Sequence, residues 1–114
     1  MGNTSVIRST VDGVVVALCA DYGRRKRVIE QRNVCRRTDT ELRYLNARIF
    51  DAVAEVVGTP LAEHFINDIG GRIGYANTKL DCMSEVTYKN LKKQARELIA
   101  VRLHLIDQNF SIPQ

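Results

Sequence analysis

A chain of 114 residues carries enough apolar side chains for one compact domain and too few for two, because shorter pieces rarely bury sufficient surface. Hydrophobic residues at 45%, charged residues at 26% and only two prolines exclude a disordered polymer. Lys+Arg 17 against Asp+Glu 13 leaves a net charge of +4, which favours an acidic partner such as nucleic acid yet is shared by many proteins that bind none.

Residues 1–8 show neither a cap nor an apolar period and read as a flexible arm. From Ser9, a candidate N-cap, Val11, Val14 or Val15, Leu18, Tyr22 and Ile29 recur at helical spacing, predicting a first helix from about Thr10 to Arg32. Gly23 costs that helix about 1 kcal/mol relative to Ala and marks the place for a bend or break. The apolar run 13–20 lies between Asp12 and the cations Arg24, Arg25, Lys26 and Arg27. It is far shorter than the ~20 residues that cross a bilayer, so the reading is cytoplasmic, with no secretion signal and no membrane partner.

Thr38-Asp39-Thr40-Glu41 has the form of a capping box, and Leu42, Leu45, Ile49, Val53 and Val56 keep helical spacing as far as Gly58. A second helix is therefore predicted near Asp39 to Val57. Thr59 as cap and Pro60 at the first helical position open a third, whose core face is Leu61, Phe65, Ile66 and Ile69 and whose end is Gly70-Gly71. Residues 72–82 read as either a short helix with polar ends or a structured loop.

The last helix starts at Ser84, an N-cap followed by Glu85 at the positive end of the dipole, and its pattern runs to Asp107. At about 100° per residue, Tyr88, Leu91, Ala95, Leu98, Leu105 and Ile106 form one stripe, and Lys89, Lys92, Lys93 and Arg96 occupy the opposite arc. Arg102 projects into the stripe and must snorkel or pair with a buried carboxylate, whereas Leu103 lies beside the basic arc and needs a partner, a covering tail or an exposed position. Residues 108–114 form a tail in which Phe110 and Ile112 can fold back. The expected fold is all-α, a single-domain bundle of four main helices with room for a helix-turn-helix-like C-terminal half. Leu18, Leu45, Ile49, Val53, Phe65, Leu91 and Leu98 are expected to share one core.

Cys19, Cys35 and Cys82 are odd in number and far apart, with no C-x-x-C pair and no histidines at ligand spacing, so reduced thiols and no metal are expected. No nucleophile with its base and no phosphate-cradling glycine motif stands out, so neither catalysis nor a cofactor is expected.

Binding remains. A recognition helix shows the residues of its N-terminal half to base edges while surrounding Lys and Arg hold phosphates, and here that half carries Glu85, Val86, Lys89, Asn90 and Lys93. Lys92, Arg96 and the cluster Arg24, Arg25, Lys26 and Arg27 add candidate phosphate contacts to double-stranded DNA. A basic solvated face on an ordinary bundle helix has the same pattern. The alternative is thus a helical protein-interaction module, with a homodimer as one form of it, using Ile99, Leu103 and neighbouring apolar groups.

A resemblance supports the first reading. Ser84-Glu85-Val86-Thr87-Tyr88-Lys89-Asn90-Leu91-Lys92-Lys93-Gln94-Ala95, followed by Leu98-Ile99 and Leu103-His104-Leu105-Ile106, resembles the last helix of small phage and mobile-element transcription regulators of the ArpU type, which are similar to the promoter-reading region of sigma factors. Asp21-Tyr22-Gly23-Arg24-Arg25-Lys26-Arg27-Val28-Ile29 resembles their first helix. The resemblance covers about a third of the chain. It implies a DNA-binding regulator in which Glu85, Lys89, Asn90, Lys92 and Lys93 face the duplex.

Overall fold

In the computed structural model the described residues are 2–32 and 37–106, with side chains described for 9–31 and 40–106. What the sequence presents as one first helix is two, α1 (Gly2–Ala20) and α2 (Tyr22–Arg32). α1 begins well before Ser9. Residues 3–12 contain no Gly or Pro, so nothing stops the helix from propagating towards the N-terminus, and Ser9 lies inside it rather than capping it. The break falls at Asp21, not at Gly23. Backbone bonds cross it, from Asp21 N–H to the Ala17 carbonyl at 3.2 Å and from Arg25 N–H to the Asp21 carbonyl at 3.1 Å. The Leu18 carbonyl beside the break accepts the Arg25 guanidinium at 2.7 Å, so a side chain holds the bend.

α3 (Arg37–Val57), α4 (Thr59–Gly70) and α5 (Glu85–Arg102) complete an all-helical bundle, in which the described residues form no strand. α3 begins before the predicted capping box. The side chains of Thr38 and Asp39 lie outside the described residues, as do Cys35 and the tail 108–114. Between α3 and α4 Gly58 takes φ 91° and ψ 151°, a region only glycine enters at little cost. Gly58 is itself the N-cap of α4, without a side-chain cap bond; Thr59 is already helical and Pro60 stands in the first turn.

α3 is the central element, packed along α2, α4 and α5, and α1 lies against α4 and α5. Ile49, Val53 and Phe65 are fully buried as expected, joined by Val15, Cys19, Ala52, Ala62, Ile66, Tyr88, Ala95 and Ile99. A fully buried Phe65 contributes about 3 kcal/mol from apolar surface removed from water. Leu18, Leu45, Leu91 and Leu98 are only partly buried and pack around that centre. The stripe of α5 is therefore turned towards Ile99 and Ala100, because Ala95 and Ala100 let the neighbouring helices approach closely where leucines would hold them off.

Both of the last two helices end in the same way. At α4, Ile73 N–H donates to the Asp68 carbonyl at 2.9 Å and Arg72 N–H to that of Ile69 at 3.2 Å; Arg72 sits at φ 54°. At α5, Leu105 N–H donates to the Ala100 carbonyl at 2.8 Å and His104 N–H to that of Val101 at 3.0 Å; His104 sits at φ 60°. These are Schellman endings in which Arg72 and His104 occupy the left-handed position that glycine usually fills. α5 stops at Arg102 rather than Asp107 for this reason, and no Gly or Pro announced it.

Candidate nucleic-acid interface

The ten side chains expected at a DNA surface separate into buried, paired and open groups. Ser84 caps α5, its hydroxyl accepting from Thr87 N–H at 3.2 Å, and this fixes the helix phase. In that phase Glu85, Lys89, Asn90 and Lys93 are exposed, with Val86 70% exposed beside them. Lys89 forms an exposed i,i+4 pair with Glu85 at 2.7 Å, which solvent leaves weak. Lys89, Asn90, Lys92, Lys93 and Arg96 line a shallow depression of about 320 Å³ that contains no carboxylate.

Lys92 is not the free phosphate contact that the arc suggested. Its ammonium donates to the Ile73 carbonyl at 2.6 Å and lies 5.2 Å from the centre of the Tyr88 ring. Partial burial lowers its pKa, and the nearby Arg96 lowers it further. Arg96 is half-buried and faces Asp12 of α1 at 3.8 Å. Both side chains stand on the inner border of the exposed face.

The second cluster disperses. Arg25 is 2% exposed, and its guanidinium donates to Asn46 Oδ1 at 2.6 Å, Asp21 Oδ2 at 3.1 Å and the Leu18 carbonyl at 2.7 Å. It is a tie between α1, α2 and α3, and its burial removes it from any surface footprint. Arg24 makes a two-pronged contact with Asp21 at 2.6 and 2.7 Å, which holds the Asp21 carboxyl below its usual range. Lys26 reaches Glu63 of α4 at 2.6 Å, and Glu63 also accepts from the Tyr22 hydroxyl at 3.3 Å. Arg27 alone of the four is exposed without an ion pair among the described residues. Four adjacent cations on a helix point in four directions, and here three of them meet acceptors in the fold.

The sequence reading missed the polar node behind α5. Tyr88, 0% exposed, donates to Asp68 Oδ2 at 2.6 Å, and Thr78 donates to the same oxygen at 2.7 Å. His64 Nε2 stands 2.9 Å from the Thr78 hydroxyl oxygen. Tyr75 donates to the Met83 carbonyl at 3.0 Å, and its ring and that of Phe65 flank Tyr88 at 5.8 and 5.4 Å. Residues 72–82 are thus a structured loop clamped to α4 and α5, not a short helix. A signal was present: a buried Tyr hydroxyl requires an acceptor, and Asp68 falls three residues after Phe65 on the core face of its helix.

That loop also bears on the helix-turn-helix expectation. Residues 71–84 join α4 to α5, whereas that motif uses a turn of about three to four residues. Arg102 pairs with Glu55 of α3, which is exposed, so its head group snorkels to the surface rather than meeting a buried carboxylate. Ile99 is fully buried and Leu103 packs on the core, so neither offers the apolar surface that an interaction module would use.

The buried groups predict an alkaline limit to stability. Burial pushes Cys19 up to about 12, and burial with the neighbouring Glu63 or Asp68 carboxylate pushes Tyr22 and Tyr88 up to about 12. The folded state keeps all three protonated where the unfolded chain releases its protons, so stability declines from about pH 9 and falls steeply from about pH 10 to 12. Lys92 opposes this below its ordinary pKa, since its lowered value makes the folded state release a proton first, but it is one group against three. Urea midpoints measured along this range should fall, and Tyr88→Phe should flatten the fall.

Among the described residues no helix is long and apolar enough to cross a membrane, and no group of three metal-ligating side chains is assembled. No family model matches the chain, and comparisons with curated proteins and with solved structures likewise return no match.

Proposed function

We propose that the protein is a small helical DNA-binding regulator whose α5 presents Lys89, Asn90 and Lys93 to the duplex. The observation that carries this reading is the depression on α5, lined by four cations and an amide with no carboxylate in it. Phosphates are the natural occupants of such a surface, and its position on the first half of a capped helix matches how recognition helices meet DNA. Lys89 and Lys93 supply phosphate contacts, Asn90 has the donor and acceptor pair that suits adenine, and Arg27 is too remote in sequence and packing to be required.

The burial of Ile99 and the packing of Leu103 favour this over the interaction-module alternative. A double charge reversal, Lys89→Glu with Lys93→Glu, should weaken duplex binding by more than about tenfold at ~50 mM salt while leaving the helical circular dichroism unchanged, because both side chains are exposed. Unchanged affinity in that variant would overturn the proposal.

A further inference from the structure

A cleft of about 430 Å³ lies between α1, the start of the 71–84 loop and the flank of α5, bordered by Asp12, Gly13, Arg72, Gly74, Lys92 and Arg96. Two features of its walls lack a packing explanation, and a third adds charge. Gly13 sits in the interior of α1, where glycine costs about 1 kcal/mol, yet a Cβ built there meets nothing within 4 Å. Arg72 holds the left-handed position at φ 54° that glycine would fill without strain, and it has no ion pair among the described residues. Lys92 and Arg96 bring two like charges to one half-buried border, where Arg96 raises the cost of charging Lys92.

We propose that this cleft is a binding site for a small phosphate-bearing anion of about diphosphate size, held by Arg72, Lys92 and Arg96. Three cations face a single carboxylate, Asp12, whose 3.8 Å separation from Arg96 is long enough to yield to a better acceptor. The Arg72 and Arg96 guanidinium groups offer paired donors that match phosphate oxygens, and Lys92, with one N–H on the Ile73 carbonyl, keeps two more donors on a charge already partly stripped of water. The bare backbone at Gly13 and Gly74, where an added Cβ would likewise meet nothing, keeps the space open. The volume falls in the range of about 300–1,000 Å³ typical of small-ligand sites. The proposal does not rest on the DNA reading, although Lys92 and Arg96 border both features.

Calorimetric titration of the full chain with inorganic pyrophosphate at ~50 mM salt tests it, since screening there is modest. Saturable binding is expected, and Arg72→Gly should weaken it by at least about tenfold while suiting the backbone at that position. Gly13→Leu, which leaves every cation in place and fills the cleft, should weaken it comparably. Arg43→Ala, an exposed cation of α3 outside the cleft, should leave it unchanged, and Gly13→Leu should bind short duplex DNA as the unaltered protein does. The proposal is overturned if pyrophosphate gives no saturable binding, or if neither cleft variant changes it. It is equally overturned if Gly13→Leu lowers duplex affinity while pyrophosphate stays unbound, because the cations would then serve a nucleic-acid backbone.

Discussion

Replacing Gly70 by Ala should lower the unfolding free energy by about 3 kcal/mol or more, the upper end of what overpacking costs. The last residue of α4 lies directly against the end of α1: a Cβ at Gly70 would stand 2.5 Å from the Ala20 nitrogen, 2.6 Å from its Cα and 2.7 Å from the Cys19 carbonyl carbon. All three are backbone atoms, so no rotamer change relieves the clash and the two helices must part. Their separation would uncover Cys19 and Ile69, both buried in the core. One position further on, Gly71→Ala meets only the Asn67 carbonyl at 3.2 Å and the flexible Ile73 side chain at 3.3 Å, and should cost no more than about 1 kcal/mol. Urea denaturation of the two variants reads the contrast, and a Gly70→Ala protein as stable as the unaltered chain would show that the α1–α4 contact is looser than described.

Arg25→Leu should be comparably damaging, at about 3 kcal/mol, because the loss of the guanidinium strands acceptors that burial has removed from water. Asn46 Oδ1 and the Leu18 carbonyl would lose their donor, and Asp21 would keep only Arg24. Arg25→Lys should rescue little, since one ammonium on a flexible stem cannot reach acceptors on three sides as the planar fork does. Thermal or urea unfolding measures this. Binding supplies the control: if Arg25 is a structural tie, folded Arg25→Lys protein binds duplex DNA as tightly as the unaltered chain, and a selective loss of affinity would return Arg25 to the interface.

The contrast between Arg25 and Lys93 shows what the sequence could and could not convey. Periodicity placed α3, α4 and α5 within a few residues because their apolar spacing, the Ser84 cap and Pro60 are local signals. It failed at the end of α5 because His104 adopts a left-handed backbone without being glycine. It failed at the bend after α1 because the contact that holds it, the Arg25 guanidinium on the Leu18 carbonyl seven residues back, is a side-chain hydrogen bond that apolar periodicity does not register. For the interface, a helical wheel identifies the polar arc but cannot tell which cation has a nearby acceptor. Lys93 and Lys92 are adjacent in sequence, yet only Lys92 has the Ile73 carbonyl within reach, because the 71–84 loop folds back on α5. Asp68 and Tyr88 were legible as a carboxylate and a phenol on apolar faces, but their meeting depended on the packing of α4, the loop and α5.

The most direct measurement for the role of α5 is the salt dependence of duplex DNA affinity. If Lys89 and Lys93 neutralise phosphates, log affinity falls linearly with log salt at about −0.9 per phosphate contact, and Lys89→Ala with Lys93→Ala makes the slope shallower by about two such steps. The absence of duplex binding at ~50 mM salt, or a slope identical in the doubly substituted protein, would contradict the assignment of this face to DNA.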